Sequence, residues 1–411
     1  MSLLSRKTAI AVFLAFALAY FFSALVRAIT ATLAPTLTQE FALQARDLGL
    51  LAGGYFLGFA AIQLPLGTLL DRHGPKTVIL CFLTIAVAGC VAFAMAGSFA
   101  GLLIARVLCG VGVSACLVAA LTGFRRWLEP TALLRANSWM LMTGSLGMVA
   151  STLPVQWLVP VVGWRSLFWA LAVLVAVSMA VIAWQVPPWS RPVASGQGGP
   201  GSYASVWRHP YFRRMTPLGF FVYGGLVAMQ TLWAGPWMVR VAGYTPLQAA
   251  TGLFWINLSM LGTFWTWGLV NPMLARRGFG TDRLIAWGLP SSFFLMAILI
   301  IANKDLGTWT IAIFSLYCMG CSFVSLAQPA VGMAFSPALA GRALTAYNLV
   351  IFSGVFVVQW GIGLMIDGFR AAGLVERVAF QAAFGVYLTC CVASYGVFLW
   401  ARRDNLVQTT P

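Results

Sequence analysis

Tyr20, Ser23, Arg27 and Thr30 fall on one face of an otherwise apolar stretch, at the three- and four-residue spacing that stacks side chains along a helix. Hydrocarbon offers a guanidinium neither counter-charge nor water, so this face is expected to line a water-filled cavity. The chemistry such a face supports is binding: a fixed positive charge, flanked by hydroxyls, that meets the negative group of a small molecule. A second arginine, Arg106, also falls inside an apolar stretch. It is expected to bond backbone carbonyls of neighbouring helices, a packing role shared with Gly110 four residues on. In the second half of the chain Gln230, Trp233, Asn257 and Gln328 lie within apolar segments. These amides and this indole are expected to form the opposite wall, hydrogen-bonding a substrate among apolar neighbours.

What the apolar stretches lack narrows the chemistry. The nine acids are Glu40, Asp47, Asp71, Glu129, Asp282, Asp305, Asp367, Glu376 and Asp404, and each maps to a loop or a helix end. Both histidines, His73 and His209, sit in polar connections. No mid-segment carboxylate or imidazole is present to carry a proton or to neutralise a cationic cargo, which favours an anionic or neutral one. Coupling to a proton or ion then runs through the cargo's own proton, through exchange, through Glu40 or Asp47, or not at all. No Gly-Lys-Ser/Thr phosphate loop, His–carboxylate pair or Cys–His pair is found, so neither an enzyme nor a cofactor is expected. All eight cysteines fall in apolar segments, which argues against a disulfide framework. Cys318-Met-Gly-Cys321 raises copper import as an alternative, but with no histidine or carboxylate nearby no metal site is assigned.

Twelve long apolar segments must position these residues: near 10–35, 47–70, 77–97, 99–123, 137–162, 165–187, 216–239, 247–272, 284–302, 309–335, 343–366 and 378–401. With 61% hydrophobic and 8% charged residues, the chain reads as an all-α membrane protein, because lipid forces each backbone segment to satisfy its own hydrogen bonds. Residues 1–187 and 215–411 form two six-helix halves, joined by a Pro-, Gly- and Arg-rich linker over 188–214 that carries a short interfacial helix near Trp207–Arg214. Of 25 Lys and Arg, 17 fall on the side of the termini and 6 on the other. That asymmetry places both termini in the cytoplasm. It also accounts for the net charge of +16 without a nucleic-acid partner, since no basic stretch is interleaved with stacking aromatics.

The loop Gly67-Thr-Leu-Leu-Asp71-Arg72-His-Gly74-Pro75-Lys76 resembles the signature between helices 2 and 3 of the major facilitator superfamily, with Pro75 where the family often has Arg. Arg106-Val-Leu-Cys109-Gly110-Val-Gly112 is similar to the family's helix 4 motif, with Cys109 in place of Gln. The resemblance implies an inner-membrane secondary transporter, usually monomeric, whose halves rock around a central cavity. It also implies that Gly67, Asp71, Arg72, Gly74 and Lys76 form a conformational latch. The run from Val26-Arg27 to Pro35 and Leu37 looks like helix 1 of the organic-anion and organophosphate branches, where this arginine binds the substrate's anionic group. The second arginine of phosphate-ester exchangers is absent, with Tyr223-Gly-Gly-Leu226 in its place, so a monoanion such as a carboxylate is expected. The G-P-x-x-G-G pattern of drug/proton antiporters is also absent. Efflux of neutral or amphipathic compounds remains the main alternative, and a non-transporting membrane sensor is a third.

Overall fold

Pairs of glycines with left-handed backbone mark where this chain folds back on itself. Gly74 (φ 78°) and Gly163 (φ 74°) interrupt what would otherwise be continuous helices, Gln63–Met95 and Leu153–Gln185. A side chain is strained in that region, so glycine makes each turn nearly loop-free. The computed structural model describes residues 4–188, 203–302 and 306–407. The centre of the expected linker (189–202), Lys304 and Asp305, and the last four residues lie outside the described residues.

Twelve helical passes follow one another among the described residues. They are α1 (Arg6–Phe41), α2 (45–73, broken at Ile62), α3 (75–95), α4 (Phe99–Trp127), α5 (130–162, broken at 151–152), α6 (164–185), α7 (Pro210–Arg240), α8 (Pro246–Arg276), α9 (Thr281–Ala302), α10 (Trp309–Met333), α11 (Pro337–Ala371) and α12 (Glu376–Val407). Twelve alternating passes bring both termini to one end of the bundle, here called the terminal end. There Leu4 N donates to Trp127 O at the end of α4, and Arg214 at the start of α7 donates to Phe398 O of α12.

Some boundaries differ from the sequence expectation for identifiable reasons. α1 runs through Pro35 to Phe41 rather than stopping near it. Proline only removes the bond to Ala31 O, and that carbonyl meets Gly235 of α7 at close range. Trp207–Arg214 is not one interfacial helix: a short helix Tyr203–Arg208 ends, and α7 begins at Pro210. The residue before a proline is pushed out of helical backbone, and His209 is extended (ψ 128°). Arg214 is accordingly buried within α7 and pairs with Asp282 of α9 at 2.6 Å.

The two halves meet along three seams: α2 with α11, α5 with α8, and α1 with α7. The α2–α11 seam depends on glycines. A Cβ on Gly49 would lie 2.3 Å from Gln359 O, and one on Gly363 would lie 2.4 Å from Ala45 O. Between those crossings and the terminal end, Phe59 packs on Phe352 with ring centroids 4.3 Å apart. α7 is not a regular helix. Leu218–Tyr223 and Met229–Trp233 are π-helical turns, and Pro236 follows them. In α10 a 3₁₀ stretch, Ser322–Leu326, precedes Pro329. A π turn widens the helical ladder and a 3₁₀ turn tightens it, and such irregular turns recur at hinges and functional sites.

Candidate substrate site

The polar face of α1 turns toward the interior of the bundle. The Tyr20 ring lies across Gly144 of α5, where a Cβ would sit 2.5 Å from it, so that glycine makes room for the phenol. Ser23 is buried, its Oγ has no hydrogen-bond partner, and it faces the Cys116 thiol of α4. Tyr55 of α2 donates from its hydroxyl to Ser23 O at 3.4 Å. Thr30 is buried one turn beyond Arg27.

Arg27 stands in the middle of this group. The hydroxyls of Tyr20 and Tyr55 face its guanidinium, and Tyr223 of α7 lies within its field from the other half. Its Nε is buried without an acceptor. Among the described residues no carboxylate approaches it. Glu40 accepts from Trp164 Nε1 and Arg165 Nη1, each at 2.6 Å. Asp47 closes the capping box at Gln44 N, Asp282 holds Arg214, and Glu376 lies 3.9 Å from Arg240. A cation in a membrane interior normally finds a paired acid or backbone carbonyls. Arg27 has phenols instead, which lower its desolvation cost without cancelling its charge.

Arg106 is the contrasting case. It is fully buried, its Nη1 donates to Val26 O at 2.8 Å, its Nη2 reaches Arg27 O at 3.5 Å, and its guanidinium lies 5.0 Å from the Tyr55 ring centroid. It grips the backbone of α1 where Arg27 emerges. Gly110 lets α4 and α2 touch backbone to backbone, since a Cβ there would lie 1.9 Å from Tyr55 O.

The opposite wall is only partly the one expected. Gln230 and Trp233 sit on the second π-helical turn of α7, at a height along the bundle similar to that of Arg27. Gln230 is buried, and its side chain makes no hydrogen bond among the described residues. Trp233 is also buried, and its indole N–H is already committed to Gln359 O at 3.1 Å. It therefore offers a ring face rather than a donor. Asn257 of α8 donates to its own helix at Leu253 O and keeps a buried Oδ1 without a partner. Gln328 lies near the terminal end of α10, away from the other three, and its Nε2 donates to Asn348 at 2.6 Å. Asn348 continues to Gln63 at 3.4 Å, so Gln328 belongs to an amide chain across the α2–α11 seam. Tyr55, Tyr223 and Cys116 are site residues that sequence reasoning missed. Each is an ordinary membrane-helix residue by type, and only the packing of α2, α4 and α7 on α1 brings it to Arg27.

The two ends of the α2–α11 seam differ. At the terminal end Gly74 makes the left-handed turn and Gly67 approaches Thr345, while Asp71 and Arg72 are exposed and form no ion pair among the described residues, and Lys76 is half-buried. At the far end Asp367 of α11 accepts from the first two amides of α2, Ala45 N at 3.3 Å and Arg46 N at 2.8 Å. A helix N-terminus leaves such donors without intrahelical partners and carries partial positive charge, so one half of the molecule supplies the cap for a helix of the other.

Comparison with known proteins agrees with this architecture. The family model described as Major Facilitator Superfamily matches residues 16–359. The inner membrane transport protein YajR of Escherichia coli (strain K12) is 27% identical over 363 residues, covering 86% of this chain and 76% of that protein. A gallate transporter of Pseudomonas putida is 27% identical over 184 residues, 44% of this chain and 40% of its own length. Among solved structures, a bacterial homologue of the human lysosomal transporter Spinster, in an inward-facing and occupied conformation, superposes with a TM-score of 0.76 at 17% identity, covering 97% of this chain and 98% of that one. The fold is thus a twelve-helix, two-half transporter fold in the inner membrane, not that of an enzyme, and the chain belongs to the major facilitator superfamily.

Proposed function

We propose that this transporter carries a small organic monoanion, most simply a carboxylate with an aromatic or apolar body, and that Arg27 is its anchor. One observation carries the reading: a half-buried guanidinium whose Nε is shielded and without an acceptor, faced by tyrosine hydroxyls, with no carboxylate partner among the described residues. One cation matches one negative group. Tyr20, Ser23 and Thr30 beside it donate to carboxylate oxygens and Tyr55, whose O–H is held by Ser23 O, walls the site, while Tyr223, Gln230, Trp233 and Asn257 bound the cargo from the other half. The partial likeness to a gallate transporter supports an aromatic acid as the first cargo to try.

The terminal end faces the cytoplasm, as the distribution of Lys and Arg supports, and residues 1–187 and 215–411 rock as two bodies about the linker. In that cycle Gly67, Asp71, Arg72, Gly74 and Lys76 latch the terminal end when the far end opens, and Asp367 holds the far end when the terminal end opens. Cargo biases the exchange only by its differential affinity for the two states. The protein works as a monomer.

The test is flux into proteoliposomes of gallate and 4-hydroxybenzoate against their neutral amides, for the parent and for Arg27→Gln. Uptake of the acids alone, lost in Arg27→Gln, supports the reading. Uptake of amide and acid alike, surviving in the variant, replaces it with carriage of neutral amphiphiles.

A further inference from the structure

Above the Arg27 site, at the far end, lies a cavity of about 320 Å³ that the transport reading does not use. Its walls come from both halves: Ala34 and Thr38 of α1 and Gln44 at the start of α2 on one side, Trp233 and Arg240 of α7, Arg370 of α11 and Glu376 of α12 on the other. Ala34 is seven residues beyond Arg27 and Tyr20 seven before it, so all three lie on one face of α1. The cavity is therefore in line with the deep site, about 10 Å further along the helix. Between the two, the Trp233 ring and the contact of Gly235 with Ala31 O form a partition.

The charges in this cavity are unbalanced. Arg240 and Glu376 touch through one atom pair at 3.9 Å, the long limit of an ion pair, and both are more than a third exposed. Among the described residues the Arg370 side chain makes no ion pair or hydrogen bond, and it lies on the same wall. Two guanidiniums and one loosely held carboxylate are the charged side chains that line the chamber, over an apolar floor of Leu48, Pro236 and Phe380, while Asp47 and Asp367 next to it are engaged with the amides of Gln44 and Ala45. A pocket of this size, apolar below and polar at the rim, suits a small amphipathic ligand.

We infer that this vestibule is a second, weaker binding site for a small organic carboxylate, which enters by displacing Glu376 from Arg240 and pairing with Arg370. The ligand class rests on the function proposed above. The vestibule holds the anion by screened surface charge before the Trp233 partition opens, and Arg27 then holds it by a desolvated one. Glu376 acts as the resident competitor, so its removal strengthens anion binding, an outcome that a purely structural ion pair does not produce.

The experiment is saturation-transfer NMR with 4-hydroxybenzoate, and 4-hydroxybenzamide as the neutral control, on protein in zwitterionic nanodiscs. Arg27→Ala serves as the background, so that the deep site is silent. In that background transfer to the acid but not the amide is expected, and it should disappear as salt is raised from about 10 mM to about 1 M, where the Debye length falls from about 30 Å to about 3 Å. Adding Arg370→Gln should weaken the acid's affinity about fivefold, the scale of one exposed charge pair. Adding Glu376→Gln should strengthen it. Equal transfer to acid and amide, or transfer unchanged by both additions, overturns the vestibule. Failure of the deep site appears separately, as flux that survives Arg27→Gln.

Discussion

Replacing Asp367 with alanine should loosen the far-end closure of the transporter. In the structure its two carboxylate oxygens accept from Ala45 N and Arg46 N across the seam between the halves. Hydrogen bonds to a charged group contribute about 1.5–3 kcal/mol where they are shielded from water. Asp367 is only partly buried, so the lower scale of an N-cap, about 0.5–2 kcal/mol, is the better guide. When the halves separate at this end, water takes over the same amides and the contribution disappears. The bond thus stabilises only the far-end-closed state, and about 1.4 kcal/mol corresponds to a tenfold change in the closed-to-open ratio. Asp367→Asn keeps an acceptor but loses the charge and should fall between. The assay is pulsed electron–electron distance measurement between labels at Ala42 and Leu374, in a background with Cys81 and Cys390 replaced by serine. The parent should show mainly the short distance, and Asp367→Ala a longer component larger by about tenfold. Identical distance distributions in the parent and Asp367→Ala would refute the reasoning.

Other substitutions test the packing beneath the site. Gly110→Ala should cost about 2 kcal/mol in a denaturation series, because its Cβ would meet Tyr55 O at 1.9 Å and both partners are backbone. Gly262→Ala, with nothing within 4 Å of its Cβ, should instead stabilise by about 0.5–1 kcal/mol. Arg106→Met should change stability by less than about 1 kcal/mol, since removing a buried cation also removes its desolvation cost. The same variant should still reduce ligand affinity, because Val26 O and Arg27 O lose the donors that hold α1 at the site. Arg214→Ala should destabilise by about 2 kcal/mol, as it removes the donors to Asp282 Oδ2 and the Phe398 carbonyl, with the partial exposure of Asp282 and its remaining bond from Tyr211 limiting the loss.

Arg27 could be picked out from the sequence because a lone cation in an apolar helix has few bland explanations, and its helical neighbours Tyr20, Ser23 and Thr30 share its face by spacing alone. The twelve-pass fold could be read for the same reason: apolar length is a direct statement about lipid. What could not be read is whatever depends on which helix packs where. Tyr55 stands beside Arg27 with α4 packed against it because Gly110 lets α2 and α4 close in, and Tyr20 has room because α5 carries Gly144 where the ring lies. Asp367 looks like an ordinary helix-end acid until α11 is laid against α2, and only then does it become the cap of another helix. Gln328 shows the converse. An amide in an apolar segment must find a partner, and the sequence does not say whether that partner is cargo or, as in this structure, Asn348. The prolines Pro35 and Pro210 show the same limit. A proline forbids one hydrogen bond, and the surroundings decide whether the helix continues past it or starts at it.

The central claim is that Arg27 is the anion anchor. It is tested most directly by ligand-dependent thermal shift of detergent-purified parent, Arg27→Ala and Arg27→Lys, with gallate, 4-hydroxybenzoate and their amides. A ligand that binds the folded state alone raises the melting temperature by mass action. The account predicts a shift with the acids for the parent, a smaller one for Arg27→Lys, which keeps the charge but loses the planar fork, and none for Arg27→Ala. Equal shifts with acid and amide in all three proteins would contradict it.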